Sequence, residues 1–141
     1  MSDSKRINLD TNIMLRLIID DDESPEQHVK ARKEVRNLWY DGGEIFVTTN
    51  VLVEACWVLR RRYKLPKAAI TEFVESLLGL NSTQLEYRNE IILALSSYRN
   101  GQGDFPDYLI GHISKAHDCD ITWTFDKALS EADLFEVKQS Y

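Results

Sequence analysis

An α/β fold with a mainly parallel sheet is what this sequence predicts, and three observations predict it. Short apolar runs of strand length alternate with longer stretches of helical periodicity, the pattern of strands joined by crossover helices. Turn and capping residues fall between those stretches, which separates the elements cleanly. At 141 residues, 43% hydrophobic and 28% charged, the chain fits one compact domain over residues 1–141 that buries a core without staples. Strands and helices in alternation imply a sheet covered on both faces.

Taken in order, Arg6 to Leu9 reads as a strand and Asn12 to Ile19 as a short apolar helix. Ser24-Pro25-Glu26-Gln27 looks like a capping box, with serine at N-cap, proline at N1 and glutamine at N3, opening a helix to about Tyr40. Asp41-Gly42-Gly43 stops it. Glu44 to Thr48 is a second strand, and Thr49 or Asn50 can cap a helix to about Tyr63. Leu65-Pro66 restarts the chain, and Ile70, Phe73, Val74, Leu77 and Leu78 form one helical face ending at Gly79. Thr83 to Tyr87 alternates like a strand, then Ile91, Leu95 and Tyr98 mark a helix stopped by Asn100-Gly101-Gln102-Gly103. A helix from about Asp104 to Ala116 tolerates Pro106 in its first turn. Asp120 to Phe125 is a strand, Lys127 to Glu131 a short helix, and Leu134 to Val137 an edge strand. No repeat, linker or low-complexity segment interrupts this order.

The formal net charge of −6 argues against binding nucleic acid by bulk electrostatics alone, and leaves room for a local basic patch or bound metal. Cys56 and Cys119 are isolated, which suits a reducing cytoplasm and reads as two buried thiols. The opening MSDSKR lacks the apolar length of a signal peptide, and no run approaches a membrane span, so a cytoplasmic protein is expected.

LIIDDDESPE, Leu17 to Glu26, looks like the opening of a response-regulator receiver domain, where acidic residues after the first strand hold magnesium. Such a domain needs a phosphate-accepting aspartate after a later strand, and between Asp41 and Asp104 there is none. A haloacid-dehalogenase-type phosphatase fails on LDTN, because its second aspartate would stand where this chain has Asn12. Asp20, Asp21 and Asp22 then read as a solvated loop.

Other carboxylates are harder to explain by structure alone. Glu54 sits in the apolar helical run VLVEACWVL, and burying an ionised carboxylate without a partner costs several kcal/mol. Either a basic residue such as Arg60 or Arg61 folds back on it, or a metal ion supplies the positive charge. Asp104 and Asp107, in GDFPDYLIGHISKA, share one helical surface at a helix start, where the macrodipole favours negative charge. N-capping accounts for Asp104 but not for Asp107, and Gly111 one turn on leaves room for a close approach. Asp10 and Asp126 each end an apolar strand, the end at which ligands gather in open α/β sheets. Oxygen ligands without a His or Cys cluster select Mg²⁺ or Mn²⁺ over zinc. His112 and His117 are five apart, a poor spacing for a shared metal, and His28 on its charged helix reads as solvated.

LDTN, VLVEACWVLRRRY, DFPDYLIGHISKAHDCD and TFDK in this order resemble a PIN-domain nuclease, most closely the toxin subunit of VapBC-type toxin–antitoxin pairs. The likeness runs from about Ile7 to Val137. It implies a three-layer α/β/α sandwich, with Asp10, Glu54, Asp107 and Asp126 as catalytic, metal-binding acids and Thr11, Asn12 and Thr124 in support. Asp104 is a departure that could join the metal shell or only cap a helix. The implied activity is Mg²⁺- or Mn²⁺-dependent endoribonuclease cleavage of single-stranded RNA, of a tRNA or ribosomal RNA, by a metal-activated water with the 3′ oxygen leaving. The implied partners are a second copy of the chain and a cognate antitoxin, docking on the helices of Met14, Leu15 and Ile18 and of Val51, Leu52 and Trp57. Arg60, Arg61, Arg62, Lys64 and Lys67 form the densest basic cluster, read either as an RNA grip or as a helix C-terminus favouring cations. Two rival readings remain: a catalytically silent PIN-fold module that binds RNA or protein, and a nuclease acting on DNA or structured nucleic acid.

Overall fold

The computed structural model describes residues 5–19 and 25–139, and its contacts divide into two compact units. One comprises the described residues up to Lys64 with Glu75–Glu86, the other Leu65–Val74 with the described residues from Tyr87 onward. The run Asp20 to Asp22 and the expected N-cap Ser24 lie outside the described residues. Parallel strands joined by helices make this an α/β fold, as the alternation of elements predicts.

In the first unit, β1 (Arg6–Asn8), β2 (Glu44–Val47) and β3 (Thr83–Leu85) form a parallel sheet in the order β1-β2-β3. The register sets Ile7 beside Ile45 and Phe46 beside Gln84. Ile45 and Val47 alternate inward along the central strand and are buried, the period-two pattern of a strand with one packed face. Arg6 pairs with Glu44 across the first two strands. Helix α1 (Thr11–Ile18) packs on α2 (Pro25–Tyr40) and on α3 (Thr49–Arg61). Met14, Leu15, Val51 and Leu52, expected at a partner interface, are instead buried within the chain, whereas Trp57 is exposed. The α3 stripe Val51, Leu52, Ala55, Cys56 and Leu59 follows helical spacing into the core, so those side chains meet their own fold first.

His28 also corrects the sequence reading. It is buried, and its Nδ1 lies 3.0 Å from the Arg16 carbonyl oxygen. Its stripe-mates Ala31 and Val35 are buried with it. Burial pushes the Cys56 thiol up to about 12, which keeps it an inert core group. Cys119, expected to be buried too, is exposed.

In the second unit, α5 (Arg88–Asn100) and α6 (Phe105–Ala116) pack together, with Tyr98 edge-on to Phe105 at 6.0 Å between ring centres. Strands β4 (Thr122–Thr124) and β5 (Phe135–Val137) pair in parallel, linked through a short 3₁₀ turn at Lys127–Leu129. Gly111 of α6 admits Phe135 and Leu134, whose side chains a Cβ there would crowd. The close approach expected at this glycine is therefore made by the β5 segment. Helix α4 (Lys67–Gly79) contributes its start, with Ile70, Phe73 and Val74 buried, to this second unit and its end to the first.

Candidate active site

Asp10 lies just beyond β1 and serves as N-cap of α1, its Oδ1 accepting the Ile13 amide at 3.0 Å. The cap locks the carboxylate against the positive end of the helix and leaves Oδ2 for other work. The next residue, Thr11, donates its hydroxyl to Glu54 Oε2 at 3.0 Å. Glu54 is exposed rather than buried, so the cost of burying its charge does not arise. The Thr11 hydroxyl bond ties the α3 carboxylate to the strand end that carries Asp10. Asn12 is exposed one residue further on.

Two further groups fix α3, and hence Glu54. Thr48 is the N-cap, its Oγ1 accepting from the Val51 amide at 3.3 Å, and Glu86 Oε1 accepts the Thr49 amide at 2.8 Å. The sequence reading placed the cap one or two residues later and missed Glu86, whose role depends on β3 lying beside β2. Removing the Thr48 hydroxyl (Thr48→Ala) is expected to cost about 1 kcal/mol in a urea melt, the usual worth of an N-cap. An unchanged midpoint would show that Glu86 suffices alone.

In the second unit, Asp126 closes β4 as Asp10 closes β1. Its Oδ1 accepts from the Ala128 amide at 2.9 Å, while its own amide donates to Thr124 Oγ1 at 3.0 Å. Thr124 thereby orients the residue it was expected to support. Asp104 occupies the N-cap position of α6, but no capping hydrogen bond is made by its side chain. Asp107, three residues on, forms a hydrogen bond with the Asp104 backbone, the reciprocal half of a capping box. Partial burial raises the Asp107 carboxyl above its ordinary value, and the charges of Asp104 and Asp126 push it the same way, against that hydrogen bond. Three carboxylates thus share one negative field.

The remaining candidates have local partners. His112 Nε2 lies 2.9 Å from Ser97 Oγ and His117 Nε2 lies 2.9 Å from Tyr87 Oη, so the two imidazoles face different hydroxyls. Arg60, Arg61, Arg62 and Lys64 are exposed at and beyond the end of α3, with Arg62 over the Tyr63 ring. Lys67 leaves the basic cluster: its Nζ lies over the Tyr98 ring at 4.8 Å and donates to the Gly101 carbonyl. A cleft of about 1230 Å³ in the first unit runs along β1, α1 and α2; Asn12, Ile13 and Arg16 line it, but Asp10 and Glu54 do not.

The PIN-domain family model matches residues 7–134. The chain belongs to the PIN-domain family. No curated protein sequence matches it. The PIN fold is that of nucleases that typically use divalent metals, and the carboxylate oxygens of this PIN domain have the hardness such an ion requires. Among the described residues, no three His, Cys, Asp or Glu side chains form a closed ligand cluster. A magnesium-type ion accepts that arrangement, since it binds through one or two carboxylates and completes its shell with water and phosphate. No helix among the described residues is long and apolar enough to cross a membrane.

Proposed function

We propose that this PIN domain is a Mg²⁺- or Mn²⁺-dependent endoribonuclease that hydrolyses phosphodiester bonds of single-stranded RNA, and that it is the toxin of a type II toxin–antitoxin pair. The observation that carries the reading is Asp107, half-buried near the start of α6, where burial first and then the charges of Asp104 and Asp126 disfavour its ionised form. The hydrogen bond with the Asp104 backbone offsets that cost in part, and a bound cation would offset it further. Asp10, Glu54, Asp107 and Asp126 are the proposed metal-binding acids, with Asp104 as an auxiliary, Thr11 and Thr124 as orienting hydroxyls, and Asn12 in support.

When bound, the metal supplies Lewis-acid charge and lowers the pKa of a water. The chain's own work is positioning. Asp10 and Asp126 each spend one oxygen on a helix or turn amide and keep the other free of that bond. Thr11 fixes one Glu54 oxygen and leaves Oε1 to ligate or to orient the attacking water. No side-chain nucleophile is needed, because hydrolysis in line requires only an activated water and a stabilised leaving oxygen. Arg60, Arg61, Arg62 and Lys64 are the proposed grip on the RNA backbone, which an acidic site cannot attract by itself.

On the same reading the chain works in the cytoplasm, pairs with a second copy, and is silenced by an antitoxin encoded beside it. Incubating the purified protein with labelled single-stranded RNA, single-stranded DNA and duplexes, with Mn²⁺ or with chelator, tests the activity. Metal-dependent cleavage confined to single-stranded RNA is expected; no cleavage of any substrate would leave a silent binding module. Thr11→Val should slow that cleavage by roughly tenfold, the low end for losing a residue that orients a metal ligand, with the circular dichroism spectrum unchanged. A wild-type rate would show that Glu54 needs no orienting hydroxyl.

A further inference from the structure

Strand β4 presents an aromatic face to solvent. Trp123 on the strand and Ile121 and Phe125 at its two ends have relative exposures of 38% (Ile121), 70% (Trp123) and 68% (Phe125), while Thr122 and Thr124 are half-buried. A lone exposed aromatic is ordinary, but two within three residues, one on β4 and one in the bend that follows it, forfeit burial that a packed α/β domain normally takes. On the paired strand, Glu136 stands in register with Trp123. Lys138 follows two residues later, its backbone amide bonded to the Thr124 carbonyl at 2.8 Å. The Lys138 ammonium lies 4.5 Å from the Trp123 ring centre and 2.8 Å from Glu136 Oε1. The face therefore carries two exposed rings, and the Lys138 ammonium already sits on one side of the Trp123 ring.

We infer that Trp123 and Phe125 form a stacking platform for the unpaired bases of single-stranded RNA, with Lys138 as its cationic flank. The inference rests on the nuclease reading above and extends it to the substrate contact. Non-specific recognition of single strands combines aromatic side chains, on which bases stack, with cations beside them. Phe125 directly precedes Asp126, a proposed metal-binding acid. A base on that ring brings its own phosphodiester to the carboxylate where hydrolysis is proposed, so the platform would set which bond is presented. Glu136 and Asp126 make the surroundings poor for gripping phosphates, and Glu136 already engages Lys138. Stacking on ring faces is the contact this charge balance allows.

The test is binding of fluorescein-labelled single-stranded RNA in chelator, where metal-dependent hydrolysis is switched off, read by fluorescence anisotropy. Trp123→Leu and Phe125→Leu should each weaken binding by roughly tenfold or more, whereas Trp123→Tyr, which keeps a ring, should stay near wild type. Binding of the matching duplex, whose bases are already stacked, should be unchanged. Both positions are exposed, and thermal melts of each variant confirm that folding is retained. Wild-type affinity in both leucine variants overturns the inference, as does the absence of single-strand binding by the wild-type protein. A change in light-scattering mass on Trp123→Leu with RNA affinity unchanged overturns it too, and assigns the face to contact between copies. Cleavage with Mn²⁺, measured in parallel, separates the two readings: intact cleavage with unaltered affinity removes only the platform, and lost affinity in a protein that never cleaves removes only the nuclease.

Discussion

Asp107→Asn is expected to abolish RNA cleavage to the extent of about 10² to 10³-fold, the scale on which removing one charge-stabilising group acts in an active site, while making the metal-free protein melt higher. The two effects have one cause. Asp107 is held above its ordinary value of 3.8 by burial first, and then by the charges of Asp104 and Asp126. A carboxyl whose folded-state pKa is raised binds its proton more tightly folded than unfolded, so stability falls as pH rises through the window from 3.8 to that raised value. Above the window the penalty is fully present; below 3.8 it is absent. Asparagine carries no charge, so the variant should gain stability in chelator at neutral pH and show no gain at pH 3, where the wild-type carboxyl is protonated. Divalent metal should reverse the order, stabilising the wild type by about 2.7 kcal/mol at a hundredfold excess over its Kd and the variant by less. Thermal melts at the two pH values, with and without Mn²⁺, decide the matter. A variant that melts lower than wild type in chelator would mean that the hydrogen bond from the Asp104 backbone outweighs the repulsion, and that the site has no need of a cation.

This expectation falls on Asp107 rather than Glu54 because of what sequence periodicity could and could not reveal. VLVEACWVL looks apolar on both sides of Glu54, yet the buried stripe is Val51, Leu52, Ala55, Cys56 and Leu59, and Trp57 faces solvent with Glu54. Apolar neighbours along a helix are not all neighbours in space. The same spacing of three and four that misled there was available for His28, whose stripe runs through Ala31 and Val35, but the charge of the surrounding helix masked it. Strand ends were legible because a short apolar run followed by a carboxylate marks Asp10 and Asp126 directly. Their double duty as caps was not, since it depends on where the next helix or turn begins. At the start of α6, Asp104 holds the N-cap position that the sequence predicts, but the capping bond is made by the Asp107 side chain. A capping box has two halves, and only the backbone decides which half is made. Nothing local in the sequence could have exposed Trp123 and Phe125. The alternation Ile121-Thr122-Trp123-Thr124-Phe125 marks two unlike faces, and the ordinary expectation buries the apolar one.

Gly101→Ala is expected to destabilise the protein by about 2 to 4 kcal/mol, a large loss for one methyl group. Gly101 ends α5 in an extended conformation that any residue can adopt, with φ −110° and ψ 177°, so backbone freedom is not why glycine stands here. Space is. A Cβ built on Gly101 would overlap the Tyr108 hydroxyl and press on the Ser97 carbonyl. Tyr108 is 2% exposed, packs edge-on against Phe135 at 6.4 Å, and accepts a buried hydrogen bond from the Gly103 amide at 3.0 Å. The added methyl must therefore push an aromatic ring inside a filled core, which costs roughly 1 to 3 kcal/mol. It must also strip the Gly103 amide of its partner, for about 1 to 3 kcal/mol more. Lys67, donating to the Gly101 carbonyl, opposes any outward shift of the loop. Tyr108→Phe alone should cost about 1 kcal/mol for the lost hydrogen bond. Added to Gly101→Ala it should recover part of the damage, because the clashing oxygen is gone; a coupling of at least about 1 kcal/mol is expected in the double-mutant cycle. Gly79→Ala, at a helical glycine with open space around its Cβ position, is the control and should raise stability by up to about 1 kcal/mol. Additive costs at Gly101 and Tyr108 in urea melts, or a Gly101→Ala midpoint equal to wild type, would show that the turn leading into Asp104 and Asp107 is not strapped by this tyrosine.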